Sequence, residues 1–312
     1  MTDDIRSTYD VVVVGGGPAG YAAALWLARY RRRTLLIEDG THRNRSVEQT
    51  HGYLGMDGAT PSEVLARARK DLAAYPEVET ARGSVAALRQ VDGLFEVDLG
   101  DRVVTCLRLV LATGAADTPP DIAGFDVHYG ASVFTCPSCD GYESRGCDVV
   151  TIGWNDGLAD FSLHLLEWAK SVTIITDGHR FDGDDEAWQS LAEANIVVVE
   201  DGAESFIGER GALTGVRLRS GEVVPTDVAF FSIAVTARAE LAVMLGCETN
   251  DDGYIVVDDD CLTSVPGVYA AGDMTPGPHL VQVAAAEGAV AGFSCARSLK
   301  RKRNEDGSTS LH

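Results

Sequence analysis

The residues best placed to do chemistry are Cys136-Pro137-Ser138-Cys139, followed by Asp140-Gly141. A C-x-x-C spacing can close a small, reducible disulfide, and such a pair carries thiol–disulfide exchange. Exchange needs a proton carrier, because the attacking thiol must be a thiolate and the departing thiolate must be reprotonated. Asp140 stands beside the pair in that role. Two other readings compete. Half a zinc site would need a second Cys or His pair at ligand spacing, and none is visible, so no metal is expected. Chance is the other. Redox chemistry is favoured over both. The chain has seven cysteines. Cys106, Cys147, Cys247, Cys261 and Cys295 show no paired spacing and read as small core hydrophobes.

A second pattern is Gly15-x-Gly17-x-x-Gly20. The first glycine allows a tight turn after a strand, the second lets the backbone approach a pyrophosphate, and the third lets a helix pack close to the strand. The helix N-terminus then offers free N–H groups and its positive dipole end to phosphate. Glu38 follows Gly20 at about the 20-residue separation expected of a carboxylate that grips ribose hydroxyls. A glycine turn without a ligand is the alternative; strand, glycines, helix, strand and acid in that order weigh against it. The third pattern, 266–273, is a buried strand ending in Gly272-Asp273. An acid there can bind a polyol hydroxyl, although the pair by itself is a common strand-end turn.

The elements that must position these residues follow from the patterning. Residues 11–14, an Ala-rich helix over 21–30 and 34–37 make a β-α-β unit of a parallel sheet. Thr60 and Glu63 fit a capping box with Pro61 at the first helical position, and the helix runs to about Tyr75. Short strands fill 78–111, broken by hairpin signals at Asp92-Gly93 and Gly100-Asp101. After the linker Pro119-Pro120, residues 148–152, 156–170 and 172–176 repeat strand, helix and strand. Residues 184–194 read as a helix, 196–200 as a strand, 213–224 as a hairpin and 228–234 as a buried strand. Short strands at 254–257 and 267–271 precede a helix over 283–299. The charged and polar end, 300–312, is expected to be a disordered tail.

A chain of 312 residues suggests two domains at roughly 100–200 residues each. Its 26 basic and 47 acidic residues give a net charge of −21, which argues against nucleic acid or an anionic membrane as partner. The apolar runs are strand-length, far below the roughly 20 residues of a spanning helix. The acidic N-terminus lacks a signal peptide's basic and apolar regions, so a cytoplasmic location is expected.

Together these patterns resemble the low-molecular-weight thioredoxin reductases along nearly the whole chain. The matching pieces are Gly15–Gly20 with Glu38, Ala112-Thr113-Gly114, Cys136–Gly141, Tyr254-Ile255 and 265–273, then an Ala- and Gly-rich helix. The resemblance implies α/β architecture with two doubly wound Rossmann-like domains in a homodimer. An FAD-binding domain (1–116 and 241–299) would be interrupted by a pyridine-nucleotide-type domain (117–240) carrying the cysteines. FAD would be held by Gly15, Gly17, Pro18, Ala19, Gly20 and Glu38 at its ADP half and by Gly272 and Asp273 at its ribityl chain. Cys139 would lie beside the flavin, Cys136 would exchange with substrate, and Asp140 would act as acid and base.

The chain departs from that family at its second nucleotide site. Gly153-Trp154-Asn155-Asp156-Gly157-Leu158 stands where the family has Gly-x-Gly-x-x-Ala, so Asn155 puts a side chain where backbone should approach pyrophosphate. His179-Arg180 remains of a basic cluster for a 2′-phosphate, but Asp177, Asp182, Asp184 and Asp185 surround it. Ile233-Ala234-Val235 alters an Ile-Gly turn, and Val281-Gln282 lacks the cation of an Arg-Gln pair. His42–Arg45, His51–Gly58 and Gly141-Tyr142-Glu143 are closer to the dithiol oxidases of gliotoxin and holomycin biosynthesis. His51 and His279 either line the flavin pocket or are ordinary surface or packed histidines. The favoured expectation is a dithiol oxidase that closes a disulfide in a small molecule or peptide and passes electrons through FAD to oxygen. The alternatives are an NADPH- or ferredoxin-dependent reductase of a thioredoxin-like protein and a non-catalytic flavin redox sensor.

Overall fold

The computed structural model describes residues 6–155, 157–303 and 309–311. Strand Thr8–Val14 is buried from Tyr9 onward, as suits a β-branched run covered on both faces. It runs parallel to Thr34–Glu38 on one side and Val103–Leu111 on the other. Val78–Arg82 extends the sheet beyond Thr34–Glu38. The long strand Val103–Leu111 takes two neighbours along its other edge. Its first half pairs antiparallel with Leu94–Asp98 and its last residues pair parallel with Val268–Ala270. Ala87–Val91 joins Leu94–Asp98 through Asp92-Gly93, both at positive φ (50° and 81°), the conformation a two-residue type I′ turn requires.

Helices Pro18–Arg29 and Val281–Ser298 pack backbone to backbone. A Cβ on Gly288 or Gly292 would overlap the carbonyl oxygen of Ala19 or Ala23. Helix Pro61–Leu72 opens with the expected capping box, Thr60 accepting from the Glu63 amide and Glu63 from the Thr60 amide.

These elements make one compact unit: residues up to Arg45, Gly52–Ala116 and Thr236 onward. The second unit is Ser46–His51 with Asp117–Val235. The chain thus crosses back at 235–236, where 240–241 was expected. Segment 46–51 joins the second unit because Glu48 donates its amide to Gly130 and accepts Arg210 on its carboxylate. The second sheet is parallel, in the order Val197–Val199, Ser171–Ile175, Asp148–Ile152, Val228–Phe231, Val133–Phe134. An antiparallel sheet of Ala203–Glu209, Ala212–Leu218 and Val223–Pro225 follows in the same unit. Each unit is a Rossmann-like α/β layer, with its apolar strands covered by helices.

Three expectations need correction. The helix expected over 156–170 is Leu158–Leu165; beyond it the Trp168 carbonyl accepts the Gly146 amide and the Lys170 amide binds the Cys147 carbonyl, which folds the chain back. Asp156 lies outside the described residues. Residues 254–257 form no strand, only isolated bridges at Ile255 and Val257. The tail, expected to be disordered, contains an antiparallel pair, Arg301–Arg303 with Thr309–Leu311. Residues 304–308 and 312 lie outside the described residues. No helix among the described residues is long and apolar enough to cross a membrane.

Candidate active site

Strand Val133–Phe134 delivers the chain to a one-turn helix, Pro137–Asp140, whose N-cap is Cys136. Pro137 at the first helical position has no N–H to leave unpaired. The turn brings Cys136 and Cys139 to a Cα separation of 5.2 Å, and they are joined as a disulfide. The Cys139 amide donates to the Cys136 sulfur at 3.1 Å. Once the disulfide opens, that amide faces the Cys136 sulfur and favours its thiolate. The next residue must be glycine, since a Cβ on Gly141 would overlap the Pro137 carbonyl and the Trp168 ring.

Asp140 is only 9 % exposed. Burial first, and the Glu143 carboxylate second, push its carboxyl up to about 7. A buried acid titrating near neutrality is suited to giving and taking protons at working pH. His51 lies in the same unit, its Nε2 3.8 Å from Glu143 Oε1.

In the first unit, the glycine run divides into two kinds of position. Gly15 (φ 116°), Gly16 and Gly20 are demanded by the fold: a Cβ on each would overlap the Ala112 carbonyl, the Glu38 side chain or the Gly15 carbonyl. Gly17 differs, because a Cβ there would meet nothing within 4 Å. It is the N-cap of Pro18–Arg29, with no side-chain cap, so the first amides of that helix have no side-chain partner. That cradle fits the pyrophosphate of FAD.

Glu38 is buried at the end of its strand, where Arg69 reaches both carboxylate oxygens (3.3 and 2.9 Å) and the Tyr21 hydroxyl donates at 3.1 Å. Burial, then Glu38, pushes the Tyr21 hydroxyl up to about 12, so it remains a donor. Four residues on, His42 Nδ1 is buried with no hydrogen-bond partner. Burial first, then Arg45 and Arg69, hold this imidazole below its ordinary value. An orphaned polar atom close to Glu38 also fits the adenosine end of a dinucleotide. Gly272 (φ 80°) lies against Ala19 and donates its amide to Glu287. Asp273 accepts Arg43 Nη1 at 3.0 Å, and the same nitrogen meets His279 Nδ1 at 3.0 Å. Arginine only donates, so Nδ1 accepts and the ring proton sits on Nε2. Glu38, Gly15–Gly20 and Asp273 all lie at carboxyl ends of parallel strands of one sheet, the place where such sheets bind nucleotides. Sequence reasoning did not find Arg69, Tyr21 or the Arg43 contact.

At the second unit's strand ends, side chains of the chain itself occupy part of the crevice. Asn155 Nδ2 donates to the carbonyls of Ser232 (2.8 Å) and Ile233 (3.2 Å). Trp154 stacks on His179, with ring centroids 3.9 Å apart. A cavity of about 170 Å³ remains, lined by Asp117, Thr135, Asn155, Phe231 and Val235 among others. Arg180 is exposed. Among the described residues no three metal-ligating side chains cluster.

The family described as pyridine nucleotide-disulphide oxidoreductase matches residues 9–288. A thioredoxin reductase of Mycolicibacterium smegmatis is 30% identical, covering 96% of this chain and 97% of its own. The thioredoxin reductase tcpT of Claviceps purpurea is 31% identical over 85% of this chain and 86% of its own. The crystal structure of HlmI superposes with a TM-score of 0.88 at 32% identity, covering 95% of this chain and 94% of that one. The chain belongs to the pyridine nucleotide-disulphide oxidoreductase family, as an FAD-dependent disulfide oxidoreductase of the thioredoxin-reductase-like kind.

Proposed function

We propose that the chain oxidises a small dithiol to a disulfide and passes the electron pair, through FAD, to oxygen. One observation carries the choice of direction: Asn155 binds the Ser232 and Ile233 carbonyls in the crevice where a pyridine nucleotide would lie. A pyrophosphate there would have to break both hydrogen bonds, and the Trp154–His179 stack fills space beside it. Gly15, Gly17, Pro18, Ala19, Gly20 and Glu38 hold the ADP half of FAD, and Gly272 and Asp273 the ribityl chain. The first unit is therefore the cofactor domain and the second the carrier of the cysteine pair. The family resemblance adds a homodimer.

In this reading a substrate thiolate attacks the Cys136 sulfur. The Cys136–Cys139 bond breaks and Cys139 leaves as a thiolate. Asp140 takes the proton of the second substrate thiol, which attacks the mixed disulfide at the substrate sulfur. Product disulfide departs and Cys136 leaves as a thiolate, stabilised by the Cys139 amide. FAD, held by Gly15–Gly20, Glu38 and Asp273, would supply the acceptor for this electron pair, with oxygen as the final oxidant reduced to hydrogen peroxide. Overall one dithiol and one O₂ give one disulfide and one H₂O₂.

A second reading, reduction of a thioredoxin-like disulfide by NADPH or ferredoxin, is supported by the names of the curated relatives. Oxygen uptake separates the two. The oxidase consumes one O₂ per disulfide formed, whether or not NADPH is present. NADPH consumption driven by a thioredoxin disulfide, with no oxygen uptake from dithiols, would overturn the proposal.

A further inference from the structure

We propose that Arg43, steadied by His279, is the positioning residue that aims the Asp273 carboxylate at the ribityl chain of FAD. The inference rests on the reading of Asp273 as the group that receives that chain.

Asp273 follows strand Val268–Ala270 in a turn whose backbone is pinned. The Gly272 amide donates to Glu287 Oε2 at 2.8 Å, and the Thr275 amide donates to the Gly272 carbonyl at 2.9 Å. These bonds fix where the Asp273 side chain departs, but not its two torsions. Arg43 supplies that constraint. Its Nη1 donates to Asp273 Oδ2 at 3.0 Å, with the two side chains 23 % and 19 % exposed. The same nitrogen carries a second hydrogen, and His279 Nδ1 takes it at 3.0 Å. The His279 ring is held in turn against Tyr254, with ring centroids 5.4 Å apart. Two acceptors in different directions set the guanidinium, and the guanidinium sets the carboxylate. Held through Oδ2, Asp273 keeps Oδ1 to accept a polyol hydroxyl.

Arg43 comes from the loop that follows Thr34–Glu38. Asp39 accepts the Thr41 amide and hydroxyl, both at 2.7 Å, and Gly40 has φ 82°. The Arg45 amide then closes on the His42 carbonyl at 3.2 Å. This short loop starts at Glu38, the carboxylate of the adenosine end, and delivers Arg43 to the flavin end. All of these residues belong to the first unit. An ion pair that merely held the loop in place would serve both ends of the cofactor alike. A residue that positions Asp273 serves the ribityl end alone. ADP lacks the ribityl chain and tells the two apart.

The test is calorimetric titration of the full chain, stripped of flavin, with FAD and separately with ADP. The melting temperature of each variant is recorded as a check on folding. Arg43→Met should weaken FAD binding roughly tenfold or more, the loss of a charge-assisted hydrogen bond, and leave ADP binding unchanged. His279→Phe keeps a ring against Tyr254 without the acceptor, and should weaken FAD binding by less. Asp273→Ala should weaken FAD binding too, and adding Arg43→Met to it should cost little more, as for residues acting in series. Arg43→Lys places one point charge where two fixed donors stood. Its FAD affinity should fall between those of the parent and Arg43→Met, with ADP again unchanged, and it carries the test should Arg43→Met not fold. FAD affinity unmoved by Asp273→Ala would refute the placement of the ribityl chain itself. A loss in Asp273→Ala with none in the Arg43 variants would refute only this inference. Equal losses of FAD and ADP would make Arg43 a support of its loop, and additive losses with Asp273→Ala would mean that it does not act through Asp273; either overturns the proposal.

Discussion

A buried carboxylic acid that titrates near neutrality weakens the fold at the pH where the chemistry runs. Asp140 has its folded value raised from 3.8 to about 7 by burial and by Glu143. The neutral form is the one the fold favours. Its contribution is fully present below the unfolded value and is lost as pH rises from there through the folded one. Asp140→Asn, neutral at every pH, should therefore raise the melting temperature at mildly alkaline pH and change it little near pH 4, as calorimetry would read; the alkaline gain is on the order of a few kcal/mol at most. The same variant should slow thiol–disulfide exchange, so stability and activity should move in opposite directions. Cys136→Ser and Cys139→Ser should each abolish dithiol turnover while leaving the protein yellow, measured by oxygen uptake and flavin absorbance. The cysteine pair and Asp140 were legible because their partners are adjacent in sequence. Arg43 was not, because Asp273 lies 230 residues away, and no local pattern announces that contact. Arg69 was hidden likewise on the polar face of its helix, 31 residues from Glu38.

At the scale of elements, the glycines separate folding from binding. Gly17 has φ −86° and open space around its Cβ position. Gly17→Ala should fold with a stability change within about 1 kcal/mol, yet should lose FAD, because its methyl enters the space proposed for the pyrophosphate. Thermal melting of the apoprotein and the flavin content of the purified variant test the two halves. Gly288→Ala should do the reverse: its methyl would overlap the Ala19 carbonyl and cost about 1–3 kcal/mol or more by forcing two helices apart. Helix starts were readable where side chains cap them, as at Thr60 and Glu63. The end of Leu158–Leu165 was not, because it is set by the Trp168 and Lys170 backbone bonds to Gly146 and Cys147. The hairpin at Asp92-Gly93 was legible because both residues tolerate positive φ. Residues 254–257 were misread as a strand because a short apolar run does not by itself supply a pairing neighbour, and only isolated bridges form at Ile255 and Val257.

For the whole molecule, two nucleotide-binding layouts differ within one chain. The first keeps an open cradle at Gly17; the second has Asn155 tied to Ser232 and Ile233. The sequence carried the warning in the side chain at Asn155, but not the hydrogen bonds that make the closure specific, since Ser232 lies 77 residues on. The most direct test is anaerobic: purified enzyme is mixed with NADPH, then separately with a small dithiol, while the flavin absorbance is followed. The account predicts bleaching by the dithiol, lost in Cys136→Ser, and none by NADPH. Rapid bleaching by NADPH would contradict it and make the chain a pyridine-nucleotide-fed disulfide reductase.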